Sequence, residues 1–283
     1  MLTSEELEKL RKAGKVSGEA RELGMSMCEA GVKLYDVAQE VEGYIRKKGC
    51  KLAFPCNISR NEIAAHYTPS CTDKTVFEVG DIVKVDCGAI LDGFIGDTAG
   101  TVEVGSHSYP ELVEISKTAR NTVAEFIGEG VPLNEIGRAV EMTMKRAGFN
   151  PIVNLCGHQI AQHNLHAGFS VPNYDNGDKY KLESGTIVAI EPFATNGKGQ
   201  IKNGIHGIIK PVKAGNETIR PNLNFDIVFR TIFFKSVPFI RHAIFVNHMA
   251  NLFYRIDLTA VFFSILKSIH VCWYRISIGE RNH

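Results

Sequence analysis

Two aspartates sit where apolar residues belong. In DIVKVDCGAILDGFIGDTAGTV, residues 81 to 102, two β-rich runs flank an Asp-Gly turn and carry Asp86 and Asp97. Opposed residues of an antiparallel hairpin have position numbers with a constant sum. For this pair the centre falls between residues 91 and 92, beside Asp92-Gly93. Asp86 and Asp97 are then expected as cross-strand neighbours on one face, with Cβ atoms roughly 5 Å apart. Two bare carboxylates so placed repel, and both cannot stay ionised in a buried site. A divalent cation removes the conflict, and carboxylate oxygens bridge two metals about 3.5–4 Å apart. A bulge would change this register. The plainer alternative puts one aspartate in a turn network and the other on a helix cap.

Other candidate ligands follow. CGHQIAQHNLHAG, residues 156 to 168, holds His158, His163 and His166, and TIVAIEPFAT, residues 186 to 195, ends an apolar strand on Glu191. A buried glutamate needs a partner. A lone histidine or glutamate is usually structural. Two aspartates, a histidine and a glutamate together point to a mixed oxygen and nitrogen site suited to Mn, Fe, Co or Zn, without the thiolates of structural zinc.

The elements that must position these side chains are legible from periodicity and caps. Helices are expected over residues 3–24, with Thr3 and Glu6 spaced as a capping box, and over 34–48, 110–128 and 133–147. Strands are expected over 51–59, 151–157, 165–171 and 186–194, besides the hairpin. The segments GVKLYDVAQEVEGYIRKKG (31–49) and GVPLNEIGRAVEMTMKRAG (130–148) align without a gap. Common helix grammar with a glycine stop is one explanation. The other is a duplicated helix–strand unit, hence two similar halves with a site between them.

Bulk properties narrow the class. The chain has 283 residues, 44% of them hydrophobic, enough for a large core. A net charge of +1 gives no field that marks a nucleic-acid or membrane binder. Seven cysteines without a CxxC pair suit a reducing compartment. The charged, helical start MLTSEELEKLRKAGK is not expected to be a signal peptide, and no apolar run reaches the roughly 18 residues of a spanning helix. From Phe225 onward the chain changes, with twelve aromatics and only Asp226, Asp257 and Glu280 acidic. A buried helical subdomain or a change of coding frame would each account for this.

FPCNISRNEIAAHYTP, VKVDCGAILDGFIGDTA, NLCGHQIAQHNLHAG and AIEPFATNGKG, in this order, resemble methionine aminopeptidase type 2 in its short archaeal form, over residues 1 to about 200. The resemblance implies an α/β (α+β) pita-bread fold of the creatinase/aminopeptidase type. In that fold two pseudo-symmetric halves surround a curved antiparallel sheet, with a helical insert after the Glu191 strand. Residues 1–200 would form the catalytic core, and 201–283 the insert and a divergent C-terminal segment. The resemblance further implies two divalent ions (Co, Mn, Fe or Zn) held by Asp86, Asp97, His158 and Glu191, with Asp97 bridging. His66 and His166 would contact the substrate at the scissile amide, and Phe54 and Leu165 would line the methionine pocket. His163 matches no ligand. The implied role is removal of the initiator methionine from nascent chains by a cytoplasmic, ribosome-proximal monomer. The family's fifth ligand, a glutamate in a Gln-x-Glu-His-like strand, has no counterpart, although Glu280 lies roughly at its place. Its loss would remove a ligand charge and the general base together, so slow or absent turnover is expected unless Glu280 substitutes.

Two other readings stay open. A proline dipeptidase uses the same kind of site, and a non-catalytic relative would bind RNA or the ribosome through its surface. An aromatic, weakly basic tail also allows a membrane-surface segment, but its charges follow no clean helical stripe.

Overall fold

The first helix owes its start to two side chains. Glu6 N donates to Thr3 Oγ1 (3.2 Å) and Thr3 N donates to Glu6 Oε2 (2.7 Å), the reciprocal capping box expected. A computed structural model describes residues 2–203 and the short strands at 209–211 and 223–225. Helix α1 spans Ser4–Ser26 and buries Leu10, Ala13, Ser17, Ala20 and Gly24, one stripe at helical spacing. It lies against the hairpin of β2 (Ile82–Leu91) and β3 (Phe94–Glu103). Ser17 Oγ joins the two, donating to Gly96 O (2.8 Å) and accepting from Ala89 N (2.9 Å).

The hairpin register corrects one expectation. Leu91 pairs with Phe94, so the two turn residues are Asp92 and Gly93, with φ of 51° and 89°. Positive φ at both marks the tight turn that Asp-Gly favours. The turn centre is therefore one position further along the chain than expected. Asp86 faces Ala99, and Asp97 faces Gly88. The two aspartates are diagonal neighbours rather than directly opposed. The displacement moves the pairing by two residues, so they keep a common face. Strand β1, Lys51–Arg60, completes this sheet against β2 and places Asn57 opposite Asp86.

The internal echo is structural. Helix α2 (Leu34–Lys47) and helix α4 (Leu133–Arg146) bury Leu34, Val37, Val41 and Ile45, and Leu133, Ile136, Val140 and Met144, at matching positions. Lys33 bridges Val76 as Pro132 bridges Lys181. Leu34 N donates to Thr75 O, and Leu133 N to Tyr180 O. Each helix stops at a left-handed glycine, Gly49 (φ 79°) or Gly148 (φ 83°). Shared helix grammar does not require such matched contacts to distant segments. A duplicated unit accounts for them.

The second half adds α3 (Pro110–Phe126) and the strands β4 (Asn150–Pro151), β5 (Cys156–Ala161), β6 (Asn164–Pro172), β7 (Ile187–Ala189) and β8 (Phe193–Thr195). Two strand expectations are corrected. The run at 151–157 is two strands with a turn between them. The run at 186–194 breaks at Ile190–Pro192, because Pro192 has no N–H to donate to a ladder. β6, β5 and β7 form one antiparallel sheet, and β8 pairs with β4 and with β11 (Leu223–Phe225). β9 (Ile201–Asn203) pairs with β10 (Ile209–Pro211). The expected helical insert and divergent segment, with Glu280, otherwise lie outside the described residues.

Each half has its own apolar core, one around Val37, Val41, Val83 and Val85, the other around Leu133, Val140, Val188 and Ala194. Two smaller clusters join the halves. Ala65 and Ala99 meet Ile152 and Phe193, and Phe94 and Ile95 meet Ile160 and Ala189. Among the described residues no helix is long and apolar enough to cross a membrane.

Beside Asp97 the backbone of α1 comes close to β3. A methyl built on Gly96 would lie 2.5 Å from the Ala13 carbonyl carbon. Gly96→Ala must move helix backbone and is expected to cost roughly 1–3 kcal/mol. Urea unfolding measures this, and a loss below about 0.5 kcal/mol would contradict the packing described.

Candidate functional site

A cleft of about 410 Å³ opens between the halves, and Asp86, Asp97, His158 and Glu191 all line it. The first half supplies the aspartates from β2 and β3, and the second half supplies His158 from β5 and Glu191 from the break after β7. All four are at most 8% exposed. His158 Nε2 lies 3.0 Å from Glu191 Oε1 and 3.6 Å from Asp97 Oδ2. One ligand atom from each of Asp97, His158 and Glu191 falls within 4.8 Å of the others. Asn173 holds the strand break in place, its Nδ2 donating to Glu191 O (2.7 Å) and Leu155 O (3.0 Å).

The electrostatics favour added positive charge. Among the described residues neither lysine nor arginine lines the cleft. Burial, helped by the Glu191 charge, pushes the Asp86 carboxyl up to about 7. Burial, with Asp86 and Glu191 nearby, drives Asp97 well above the usual carboxylate range. Burial works against the His158 imidazolium, yet the Glu191 carboxylate and nearby backbone carbonyls hold its proton more strongly than usual. Protons thus stand in for missing positive charge. Among the described residues Asp86 Oδ1 is buried without a hydrogen-bond partner, a costly state for a carboxylate oxygen unless a ligand takes it. A buried acceptor with no partner, three carboxylates and one imidazole fit divalent metal ions.

The remaining candidates fall around this cluster. His166, on β6, presents its ring edgewise to His158 with centroids 4.3 Å apart. Burial and the neighbouring His158 keep it below the ordinary imidazole value, hence neutral near pH 7. His66 also lines the cleft, from the segment between β1 and β2. Its φ of 65° is a left-handed conformation rare outside glycine and frequent at functional sites. Asn61 anchors the start of that segment. It donates to Asp81 Oδ1 (2.7 Å) and accepts from Ile82 N (2.9 Å), and its carbonyl accepts from buried Lys84 Nζ (2.9 Å). Phe54 and Leu165 line the apolar part of the cleft. His163 stands apart in the β5–β6 turn, where its N–H donates to Gly93 O (2.8 Å). Asn57, Cys156, Phe169 and Phe193 also line the cleft, and sequence reasoning passed over them. For Asn57 the signal was an amide inside FPCNIS, a strand that is otherwise mostly apolar.

Two predictions follow from this geometry. Asp97→Ala is expected to abolish Mn(II) binding and His163→Ala to leave it within about twofold, as read by titration calorimetry. The second concerns pH. The native carboxyl of Asp86 keeps its proton up to about 7, whereas the unfolded chain releases it near 3.8. The native state therefore binds more protons in that window, and metal-free stability falls as pH rises through it. Metal binding needs the ionised form, so added Mn(II) stabilises more near pH 7.5 than near pH 5. Thermal melts with and without metal at both pH values check the sign. A metal-free protein that gains stability across the window would contradict it.

Comparison with known proteins places this geometry. Residues 8–220 match the model of metallopeptidase family M24. The chain is 48% identical over 198 residues to a methionine aminopeptidase of Thermococcus onnurineus, covering 70% of this chain and 67% of that one. It is 38% identical over 242 residues to a methionine aminopeptidase of Saccharolobus solfataricus, covering 84% and 79%. The crystal structure of a methionine aminopeptidase from Thermotoga maritima superposes with a TM-score of 0.73 at 28% identity, covering 80% of this chain and 92% of that one. The pita-bread architecture of two related halves is common to them, and this chain belongs to metallopeptidase family M24.

Proposed function

We propose that this protein removes the N-terminal methionine from new polypeptides, using two divalent ions (Co, Mn, Fe or Zn) held by Asp86, Asp97, His158 and Glu191. The observation that carries this reading is the convergence of three buried carboxylates and a histidine, from both halves, beside an apolar wall. The relatives named methionine aminopeptidase support the substrate. Residues 1–200 form the catalytic core in this reading, with β11 adding a strand to it. The setting is cytoplasmic, near the ribosome, and the working unit is a monomer.

Bound metal would supply Lewis acidity and a water acidified toward neutrality. The chain's own residues do the rest. Asp86, Asp97 and Glu191 bring the negative charge that retains divalent ions, and His158 completes the set as a neutral imidazole. Phe54 and Leu165 offer apolar surface for an unbranched thioether side chain. His166, kept neutral by burial and by His158, has an N–H to donate to the substrate carbonyl or amide. His66, at the cleft's exposed edge, is placed to bond the scissile amide and to pass a proton to the departing amine. The fifth-ligand position ascribed to Glu280 lies outside the described residues.

The test is peptide cleavage with Mn(II) or Co(II). Met-Ala-Ser is expected to release methionine, slowly, and Ala-Pro to stay intact. His166→Ala is expected to lower kcat about 100-fold. Cleavage of Ala-Pro in preference to Met-Ala-Ser would favour a dipeptidase. Metal binding without any cleavage would favour a partner-binding relative.

A further inference from the structure

One buried carboxylate of the cluster is oriented by a contact that the proposed chemistry does not itself use. We propose that Asn57, held by Thr68, positions Asp86 for cation binding. This rests on the metal site proposed above. Asn57 of β1 faces Asp86 of β2 in the sheet register, and regular pairing resumes at Asn57 after a bulge. Its Nδ2 donates to Asp86 Oδ2 at 3.3 Å. Its Oδ1 accepts from Thr68 Oγ1 at 2.7 Å.

The chemistry of the groups fixes this arrangement. In the ionised form that binds metal the carboxylate only accepts, so the nitrogen end of the amide must face Asp86. The oxygen end then faces Thr68, whose hydroxyl donates. The carboxylate therefore sets which way the amide points, and the Thr68 hydroxyl holds it there. With Oδ2 engaged, Asp86 cannot rotate freely, and Oδ1 remains buried without a hydrogen-bond partner among the described residues. Both Asn57 and Asp86 line the cleft. Thr68 lies two residues beyond His66 on one segment, which Ile58 N also ties to β1 by donating to Tyr67 O (2.8 Å). One chain of contacts thus sets a metal-binding oxygen and the strand end of the segment that carries His66. Partners that orient metal-binding side chains are typically worth about 10–100-fold in affinity or activity.

The experiment compares the wild type with Asn57→Ala, Thr68→Val and Thr68→Ser. Mn(II) affinity is read by titration calorimetry on the metal-free proteins, and kcat and KM on Met-Ala-Ser. Asn57→Ala is expected to weaken Mn(II) binding at least about 10-fold and to lower kcat with KM within about twofold. Thr68→Val should shift both in the same direction by less, and Thr68→Ser, which keeps the hydroxyl, should restore them. Thr68 is exposed, so its variants keep the fold and decide the matter if Asn57→Ala does not fold. Affinities of Asn57→Ala and Thr68→Val within about twofold of wild type would overturn the proposal. Failure of the aminopeptidase reading looks different: the wild type binds Mn(II) yet leaves Met-Ala-Ser uncut, while the affinity ratios still support or overturn the role of Asn57.

Discussion

Asp86, Asp97 and Glu191 share one buried cleft, and their mutual repulsion is the constraint that organises the rest of the molecule. In water three such groups would ionise independently. Inside a protein each loses hydration and feels the others through a weakly screening medium. Among the described residues no lysine or arginine lines the cleft to relieve this. That leaves protons or metal ions as the compensating charge. A chain that only needed a stable core would place apolar residues on these strands, since like charges buried together destabilise it.

Holding the carboxylates there requires rigid supports, and the structure supplies one from each half. The β2–β3 hairpin is clamped by α1, whose backbone touches β3 at Gly96 and whose Ser17 bonds both strands. On the other side Pro192 ends the β7 ladder and Asn173 fixes the exposed backbone, so Glu191 leaves the sheet at a set point. The repeated helix units pack outside both sheets, and the apolar clusters that join the halves flank the cleft. The site is thus a product of two similar halves and belongs to neither alone.

Much of this was legible in the residues, and the misses have physical causes. Helix ends followed from caps and glycine stops, and the echo between 31–49 and 130–148 foretold two halves. Asp86, Asp97, His158 and Glu191 stood out because each is polar in an apolar or glycine-flanked run. The Asp92-Gly93 turn was legible, but centring the register on the two aspartates rather than on that turn left it one position short. The continuous strand through Glu191 was misjudged for want of weight on Pro192. Asn57 escaped notice because one amide in a strand carries no periodic signal. Its importance lies in a partner 29 residues away.

The most direct test is anomalous diffraction from crystals soaked in Mn(II). The account predicts manganese peaks in the cleft, bounded by Asp97, His158 and Glu191, with Asp86 Oδ1 among the coordinating atoms. Manganese found only at surface carboxylates, with the four buried side chains unliganded, would contradict it.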